Sequence, residues 1–332
     1  MSPPLSRRNL LRDAVAGAAA LVLPGVLVAC PAAGGASDRR AASRMSAGRP
    51  DTPDSVARPP EPDLERLTAW TAALRSDSPS SSDAPLGRSA VRVGELARGT
   101  PYEPATLEAY LRAGGSPAAD EPLTLSLTRF DCVTLVESCL AVARVAAGEG
   151  VPTWDRFGRA IERMRYRGGE RRGYASRLHY FSEWITDGER RGLVRDLGAD
   201  LGGVADRRPL RFMTEHRASY PAFSDAAVFR KIGVIERRLD GYPRRVVPTK
   251  RIPEVADRIE TGDVLAFATA IPGLDVTHAA FAYRDAANVL RVLHAPLSGG
   301  VVEVSRRTLP EYVAAIRRAT GILVARPLRP TA

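Results

Sequence analysis

Cys132 lies at the start of an apolar segment that continues to about Gly148, and a thiol at that place can do chemistry. Apolar residues recur there at intervals of three and four, which predicts a helix with one buried face, and Asp131 is of a type favoured just before a helix. Unpaired N–H groups and the dipole at a helix start favour an anion. The pattern predicts a nucleophilic thiol with a lowered pKa, although an inert buried cysteine would have the same signature.

Two of the four histidines, His278 and His294, lie on neighbouring predicted strands joined by a short polar turn at 284–288. A regular hairpin centred on Ala286 would place them directly opposite each other on one face, with Cβ atoms about 5 Å apart. A base beside a thiol needs a third group to orient it. We therefore predict His278 as the base and His294 as its partner, provided that no bulge shifts the register.

The elements that must hold these residues divide the chain into a helical half and a strand-rich half. Helices are predicted at 63–75, 104–113, 132–148, 155–166 and 309–318, and strands at 262–268, 276–283, 289–295, 301–304 and 321–325. An edge strand interrupted by Pro248 is predicted at 246–252. The predicted fold class is α+β, with a helical N-terminal half packed on a C-terminal antiparallel sheet.

The first thirty residues have the features of an export signal. Arg7 and Arg8 resemble a twin-arginine motif, and sixteen residues, Ala14 to Ala29, form an apolar segment before Cys30. That segment is shorter than the roughly 20 residues that span a bilayer, so a cleaved signal is favoured over a membrane anchor. Residues 27–30 are similar to a lipobox, which implies lipidation at Cys30. The predicted organisation is a signal at 1–30, a disordered tether at 31–62 and one catalytic domain at 63–332.

The 332-residue chain has a formal net charge of +10, and removal of residues 1–29, with three arginines and one aspartate, lowers it to +8. A basic chain could bind nucleic acid, anionic lipid or an anionic wall polymer. The arginines are scattered and no zinc-finger or RNA-binding motif is present, so nucleic acid is not expected as a partner. Cys132 and Cys139 would lie about 10 Å apart along one helix, too far for a disulfide.

Several motifs in order resemble a known family: 130–137 (FDCVTLVE), 177–180 (RLHY), 262–264 (GDV), 273–278 (GLDVTH) and 293–296 (LHAP), with 99–102 (GTPY) also similar. They are similar to the N-acetylmuramoyl-L-alanine amidase-like family, within the NlpC-type cell-wall hydrolases that share a papain-like fold. The resemblance runs from about Val91 to Arg326. Two departures are Pro296, where a small polar residue is expected, and the arginine-rich segment 165–173.

The resemblance implies a papain-like fold with Cys132 as nucleophile, His278 as base and His294 as the third polar member. It further implies a substrate-binding role for a group of pocket residues: Asp131, Arg177, His179, Tyr180 and Asp275. The implied reaction is hydrolysis of an amide bond in peptidoglycan or muropeptides, with no metal or other cofactor.

The expected protein is a monomer, exported and held in the cell envelope by an N-terminal lipid anchor, facing the periplasm. Three alternatives remain open from the sequence. The domain could bind the wall without catalysis. The same thioester could be captured by an amine or alcohol in an acyl transfer, or Cys132, His278 and His294 could bind zinc.

Overall fold

A computed structural model describes residues 59–77, 85–119 and 121–329. The predicted signal with Cys30 lies outside the described residues, as does nearly all of the predicted tether, and the first described helix begins at Glu61. Within the three described ranges, no helix is long and apolar enough to span a bilayer.

The described residues form helices and strands in the following order. The helices are α1 (Glu61–Asp77), α2 (Leu86–Leu96), α3 (Ala109–Arg112), α4 (Cys132–Ala147), α5 (Trp154–Arg165), α6 (Phe181–Arg190), α7 (Phe212–Glu215), α8 (Ala226–Leu239), α9 (Ile252–Val255) and α10 (Leu309–Ala315). The strands are β1 (Val194–Asp196), β2 (Val204–Asp206), β3 (Arg244–Pro248), β4 (Val264–Thr269), β5 (Val276–Arg284), β6 (Leu290–His294), β7 (Glu303–Val304) and β8 (Ala319–Pro327).

Helix α4 is the centre of the helical half. Its sequence is apolar around most of its circumference, and its neighbours α1, α2 and α5 cover it together with strand β5. Asp131 caps the helix: its side chain accepts a hydrogen bond from the backbone N–H of Thr134, while the Thr134 hydroxyl accepts one from the backbone N–H of Asp131. This capping box fixes the first turn, where Cys132 lies.

The strands form one antiparallel sheet in the order β2-β3-β8-β4-β5-β6-β7, with β1 pairing beside β8. Every residue of the central strand β4 is buried, which fits its apolar sequence. One face of the sheet packs on α1, α2 and α4, and the other face packs on the short helices α9 and α10. The sheet therefore lies between two helical layers.

The predicted helical half followed by an antiparallel sheet is confirmed as a mixed class of helices and antiparallel strands, whereas the closer papain-like placement stays a prediction. The predicted edge position of the strand near Pro248 is wrong. Strand β3 pairs with β2 on one side and β8 on the other. Pro248 is its last residue, where a missing N–H interrupts little of the ladder.

Candidate active site

Cys132 is the first residue of α4, and its side chain is buried, with 7% of its surface exposed. Three backbone N–H groups interact with its sulfur: its own, that of Val133 and that of Ala279 on strand β5. Ala279 directly follows His278 in the sequence. The start of α4 therefore meets β5 beside the predicted base.

Burial and, to a smaller extent, the neighbouring Asp131 carboxylate raise the pKa of the Cys132 thiol to about 12, while the three N–H groups act in the opposite direction. The expectation of a lowered pKa is therefore wrong. The reason is that removal of the sulfur from water disfavours the thiolate more than the helix start favours it. A reaction at this sulfur needs a base that removes the proton as the new bond forms.

The hairpin of β5 and β6 differs in register from the predicted one. Arg284 pairs with Leu290 and Phe281 with Leu293, so the turn is centred on Ala287 and not on Ala286. Continuing that register places His294 opposite Ala280. The two histidines are thus diagonal neighbours two residues apart, and because that offset is even, both still lie on the same face of the sheet.

The two imidazoles nevertheless meet: His278 Nε2 lies 2.8 Å from His294 Nδ1. The Tyr312 hydroxyl from α10 lies 3.3 Å from the same Nδ1, and the ring of Phe267 stacks on His278 with ring centroids 5.6 Å apart. Burial lowers the pKa of His278 to about 4 and holds the pKa of His294 well below its ordinary value. Both rings are therefore neutral near pH 7 and share a single hydrogen-bonding proton.

The series of side-chain contacts that runs from His278 to His294 continues to Glu303. His294 Nε2 is buried without a hydrogen-bond partner among the described residues, and it lies 3.8 Å from a carboxylate oxygen of Glu303 on strand β7. His294 and Glu303 are register partners on adjacent strands. A proton on His294 Nε2 would face this carboxylate and leave Nδ1 free to accept from His278.

A narrow cavity of about 80 Å³ adjoins Cys132 and His278. Its apolar walls come mainly from α6 and the segment before β5: Phe181, Trp184, Leu274 and Val276. Of the predicted substrate-binding residues, four line this cavity: Asp131, Arg177, His179 and Asp275. His294 does not line it and contacts His278 through Nδ1.

Arg177 is the buried cation of the cavity. It forms ion pairs with Glu108 and with Glu121, the latter at 3.4 Å, and its guanidinium lies 4.9 Å from the ring centroid of Tyr174. A second buried pair, Glu137 with Arg165, spans 2.7 Å between α4 and α5 and also lines the cavity. The charged side chains that line this part of the cavity therefore make it polar, and their charges neutralise one another.

The remaining predicted residues have structural partners. Asp275 accepts a hydrogen bond of 2.8 Å from the Ser182 N–H in the first turn of α6. His179 donates from Nε2 to the Tyr174 carbonyl at 2.9 Å, which leaves Nδ1 as an acceptor in the neutral ring. Tyr180 lies outside the cavity lining, because its hydroxyl donates to Glu236 within a separate core cluster.

Sequence reasoning missed two tyrosines close to Cys132. The thiolate charge of Cys132 contributes to the raised pKa of both Tyr102 and Tyr312. The Tyr102 hydroxyl is buried without a partner among the described residues, and its backbone lies beside Phe130. The motif at 99–102 was the available signal for Tyr102, whereas no local pattern indicates Tyr312.

Within the described part of the chain, no group of three or more His, Cys, Asp or Glu side chains is arranged to hold a metal ion. Cys132 and Cys139 are both free thiols.

Fold and site together define a mixed helix-and-sheet protein with a cysteine and a histidine at one cavity, and a second histidine in contact with the first. The chain belongs to the AmiA-like family, N-acetylmuramoyl-L-alanine amidase-like, whose model matches residues 92–322. Similar solved structures are consistent with this family. An N-acetylmuramoyl-L-alanine amidase from Bacteroides uniformis is 30% identical with a TM-score of 0.66, and the match covers 74% of this chain and 99% of that one.

Two further structures are similar. A Bacteroides fragilis protein provisionally named a xylanase is 31% identical over 70% of this chain and 99% of its own, with a TM-score of 0.63. A Legionella pneumophila protein shares the fold at 17% identity and a TM-score of 0.55, over 80% of this chain and 97% of that one. The comparison with curated proteins found no match.

Proposed function

We propose that this protein is a cysteine-dependent amidase that hydrolyses an amide bond of peptidoglycan, either between N-acetylmuramic acid and L-alanine or within the stem peptide. Membership of the amidase-like family supports the substrate class. The observation that carries the mechanism is the 2.8 Å contact of His278 Nε2 with His294 Nδ1, because it leaves His278 Nδ1 free to serve the thiol. In this proposal His278 is the base and His294 is the group that orients it.

In the first step, the Cys132 sulfur attacks the amide carbon while its proton passes to His278 Nδ1. Negative charge develops on the amide oxygen, where the backbone N–H of Cys132 at the start of α4 and the unpartnered Tyr102 hydroxyl can donate hydrogen bonds. The imidazolium of His278 is held by His294, whose other nitrogen faces Glu303.

In the second step, His278 returns the proton to the nitrogen of the leaving amine, the carbon–nitrogen bond breaks and a thioester remains on Cys132. His278 then removes a proton from water, and the resulting hydroxyl attacks the thioester. Its collapse releases the acid and restores the thiol.

The provisional name of the Bacteroides fragilis structure raises glycoside hydrolysis as another chemistry. That reaction generally needs two carboxyl groups, one to donate a proton and one to act as nucleophile or base. The carboxylates at this cavity are engaged elsewhere: Asp131 caps α4, Asp275 binds the start of α6, and Glu137 pairs with Arg165. The site therefore favours amide hydrolysis.

Digestion of purified muropeptides followed by mass spectrometry tests the proposal. The wild-type protein should release products whose masses identify the bond, and Cys132→Ala should release none. Cys139→Ala is the matched control, because Cys139 is a second buried thiol on the same helix away from the cavity. Equal product from wild type and Cys132→Ala would remove Cys132 from the mechanism.

The same digestion separates the two rival functions. A wall-binding protein without activity would retain muropeptides and leave them intact. A transferase would add the mass of an amine or alcohol acceptor to the acyl product. The alkylation rate of Cys132 cannot distinguish the rivals, since burial raises the pKa of this thiol in either case.

We further propose that the protein is exported and anchored in the cell envelope through a lipidated Cys30, with its domain facing the periplasm. The arginine pair, the apolar segment and the cysteine that follows it support this location. Loss of labelled-lipid incorporation in Cys30→Ser would support the anchor, and incorporation that survives the substitution would reject it.

A further inference from the structure

A cavity of about 350 Å³ lies near the far end of α4, remote from the sulfur. Arg144, one of its lining residues, is twelve residues after Cys132, which corresponds to about 18 Å along the helix axis. The described residues that line it include four arginines and no acidic residue: Arg144, Val145, Gly148, Arg156, Arg159, Ala160, Arg163, Met164 and Leu193. We call this set the α4 arginine cavity.

Arg144 is a half-buried cation of the α4 arginine cavity. Its Nη2 donates to the Leu193 carbonyl at 2.8 Å, but Nε and Nη1 are buried with no hydrogen-bond partner among the described residues. Burial, then the nearby charges of Arg163 and Arg191, lowers the pKa of Arg144 to about 10. Buried donors without partners are rare in native proteins, so the Nε and Nη1 of Arg144 call for an acceptor.

A purely structural role accounts for only some of the arginines at and near the α4 arginine cavity. Arg156 donates to the Glu149 and Val151 carbonyls at 2.6 and 3.0 Å, and Arg75 donates to the Ala146 carbonyl at 3.2 Å. These two arginines donate to backbone carbonyls where the chain leaves α4. Their positive charges lie at the negative end of the helix dipole.

The other arginines are not explained in that way. Arg159 pairs with Asp155, an exposed carboxylate outside the cavity lining. Within residues 59–77, 85–119 and 121–329, the exposed Arg163 guanidinium has no hydrogen-bond or ion-pair partner. Two arginines therefore present unused donors to one cavity.

We propose that the α4 arginine cavity binds a phosphate group. A guanidinium offers a planar pair of donors that matches two oxygens of a phosphate, and several guanidinium groups together neutralise a dianion. The unpartnered Nε and Nη1 of Arg144 each offer a donor, and the exposed Arg163 lines the same cavity. The bound group could be a soluble phosphate or the headgroup of an anionic phospholipid, which share this chemistry.

Titration of inorganic phosphate into the full chain with Cys30→Ser tests the site by calorimetry, at constant low ionic strength against chloride. We expect saturable binding to one site, weakened about tenfold or more in Arg163→Gln and in Arg144→Met. Arg163 is exposed, so its replacement decides the outcome should Arg144→Met fail to fold. Absence of saturable binding, or wild-type affinity in Arg163→Gln, would overturn the proposal.

The chain offers a matched control in a second basic cavity, of about 580 Å³, lined in part by Arg172, Arg230 and Lys231. None of these three side chains has a buried nitrogen without a partner. Arg230→Gln should bind phosphate as the wild type does. An equal loss in Arg230→Gln would mean attraction to overall charge, which would also overturn the proposal.

Sedimentation with phosphatidylglycerol vesicles distinguishes the two sources of phosphate. Vesicle binding that is lost in Arg163→Gln and kept in Arg230→Gln would support the site and assign a lipid headgroup. Phosphate binding without vesicle binding would support the site and assign a soluble phosphate. Because the site is remote from Cys132, Arg163→Gln should keep wild-type muropeptide turnover, so this proposal and the amidase proposal can fail independently.

Discussion

At the scale of single residues, His294 joins His278, the proposed catalytic base, to Glu303. A neutral His294 that accepts from His278 at Nδ1 must carry its proton on Nε2, and that buried nitrogen faces the Glu303 carboxylate at 3.8 Å. Glu303 is half exposed and lies on the short strand β7, so it could be replaced without disturbing the core. It would act as a positioning residue, through His294.

We expect Glu303→Gln to lower kcat about tenfold, because the negative charge that stabilises imidazolium at His278 is lost. The acidic limb of the pH–rate profile should shift to lower pH, since loss of that charge further lowers the pKa of His278. Steady-state kinetics across pH measures both effects. Glu303→Asp should restore part of the rate, and Glu254→Gln, on an exposed site of α9, is the control. An unchanged profile would exclude Glu303 from the site.

Tyr102 gives a second prediction at the residue scale. Its buried hydroxyl has no hydrogen-bond partner among the described residues and lies close enough to Cys132 for the two charges to interact. Tyr102→Phe should lower kcat by about a hundredfold with little change in KM, as expected for the loss of one donor to the oxyanion. Tyr174→Phe is the control, because that hydroxyl is also buried and unpartnered but lies in a different cluster. Equal effects would indicate a packing role.

At the scale of elements, the cap of α4 has two effects on Cys132, the proposed nucleophile. Asp131 fixes the first turn through the capping box, and its charge also raises the pKa of Cys132. Asp131→Asn should keep most of the stability, because asparagine is an equally good cap, and should lower the pKa of the thiol. Asp131→Ala should lower the free energy of unfolding by about 1 kcal/mol.

Urea unfolding and thiolate absorbance as a function of pH measure these two quantities. The two variants should therefore differ. Asp131→Asn should change the thiol pKa more than the free energy of unfolding, and Asp131→Ala should change both. A Cys132 pKa that is the same in wild type and Asp131→Asn would show that the carboxylate charge does not reach the sulfur.

The same scale shows which elements could be predicted from sequence. α4 and α5 have continuous three- and four-residue periods, and β4 to β6 are bounded by glycine or polar turns, so their existence was predictable. β1 and β2 have three residues each, too few for a period to be recognised. The hairpin register depended on the turn: Asp285 accepts from the Ala287 and Val289 N–H groups, and Asn288 adopts a left-handed φ of 61°.

At the scale of the whole molecule, the site exists only where the helical layer meets the sheet. Cys132 comes from the first layer and His278 from the second, and each had a local signal in the sequence. Glu303 and Tyr312 are brought in by strand pairing and by the packing of α10, which no local pattern records. Burial of the sulfur is likewise a product of tertiary packing, which is why the sequence alone gave the wrong direction for its pKa.

Three histidines whose pKa values are lowered in the folded protein make the free energy of unfolding depend on pH. Burial lowers the pKa of His278 to about 4 and holds the pKa of His179 and His294 well below the ordinary value near 6.5. Below about pH 6.5 the unfolded chain binds protons that the folded chain excludes, so the free energy of unfolding falls as the pH decreases toward about 4. Glu121 and Asp275 act in the opposite direction, because burial raises the pKa of each.

Comparison of the wild type with His278→Gln cancels the contribution of the carboxylates. Between pH 7 and pH 5, urea unfolding should show that the wild type loses on the order of 1 kcal/mol more than the variant, since a partly buried neutral histidine is replaced by a group that does not titrate. Thr68→Ala, a change at an exposed hydroxyl on α1, should lose as much as the wild type. Equal losses in wild type and His278→Gln would mean that His278 titrates alike in the folded and unfolded chain. In that case His278 could not be the neutral base on which the mechanism depends.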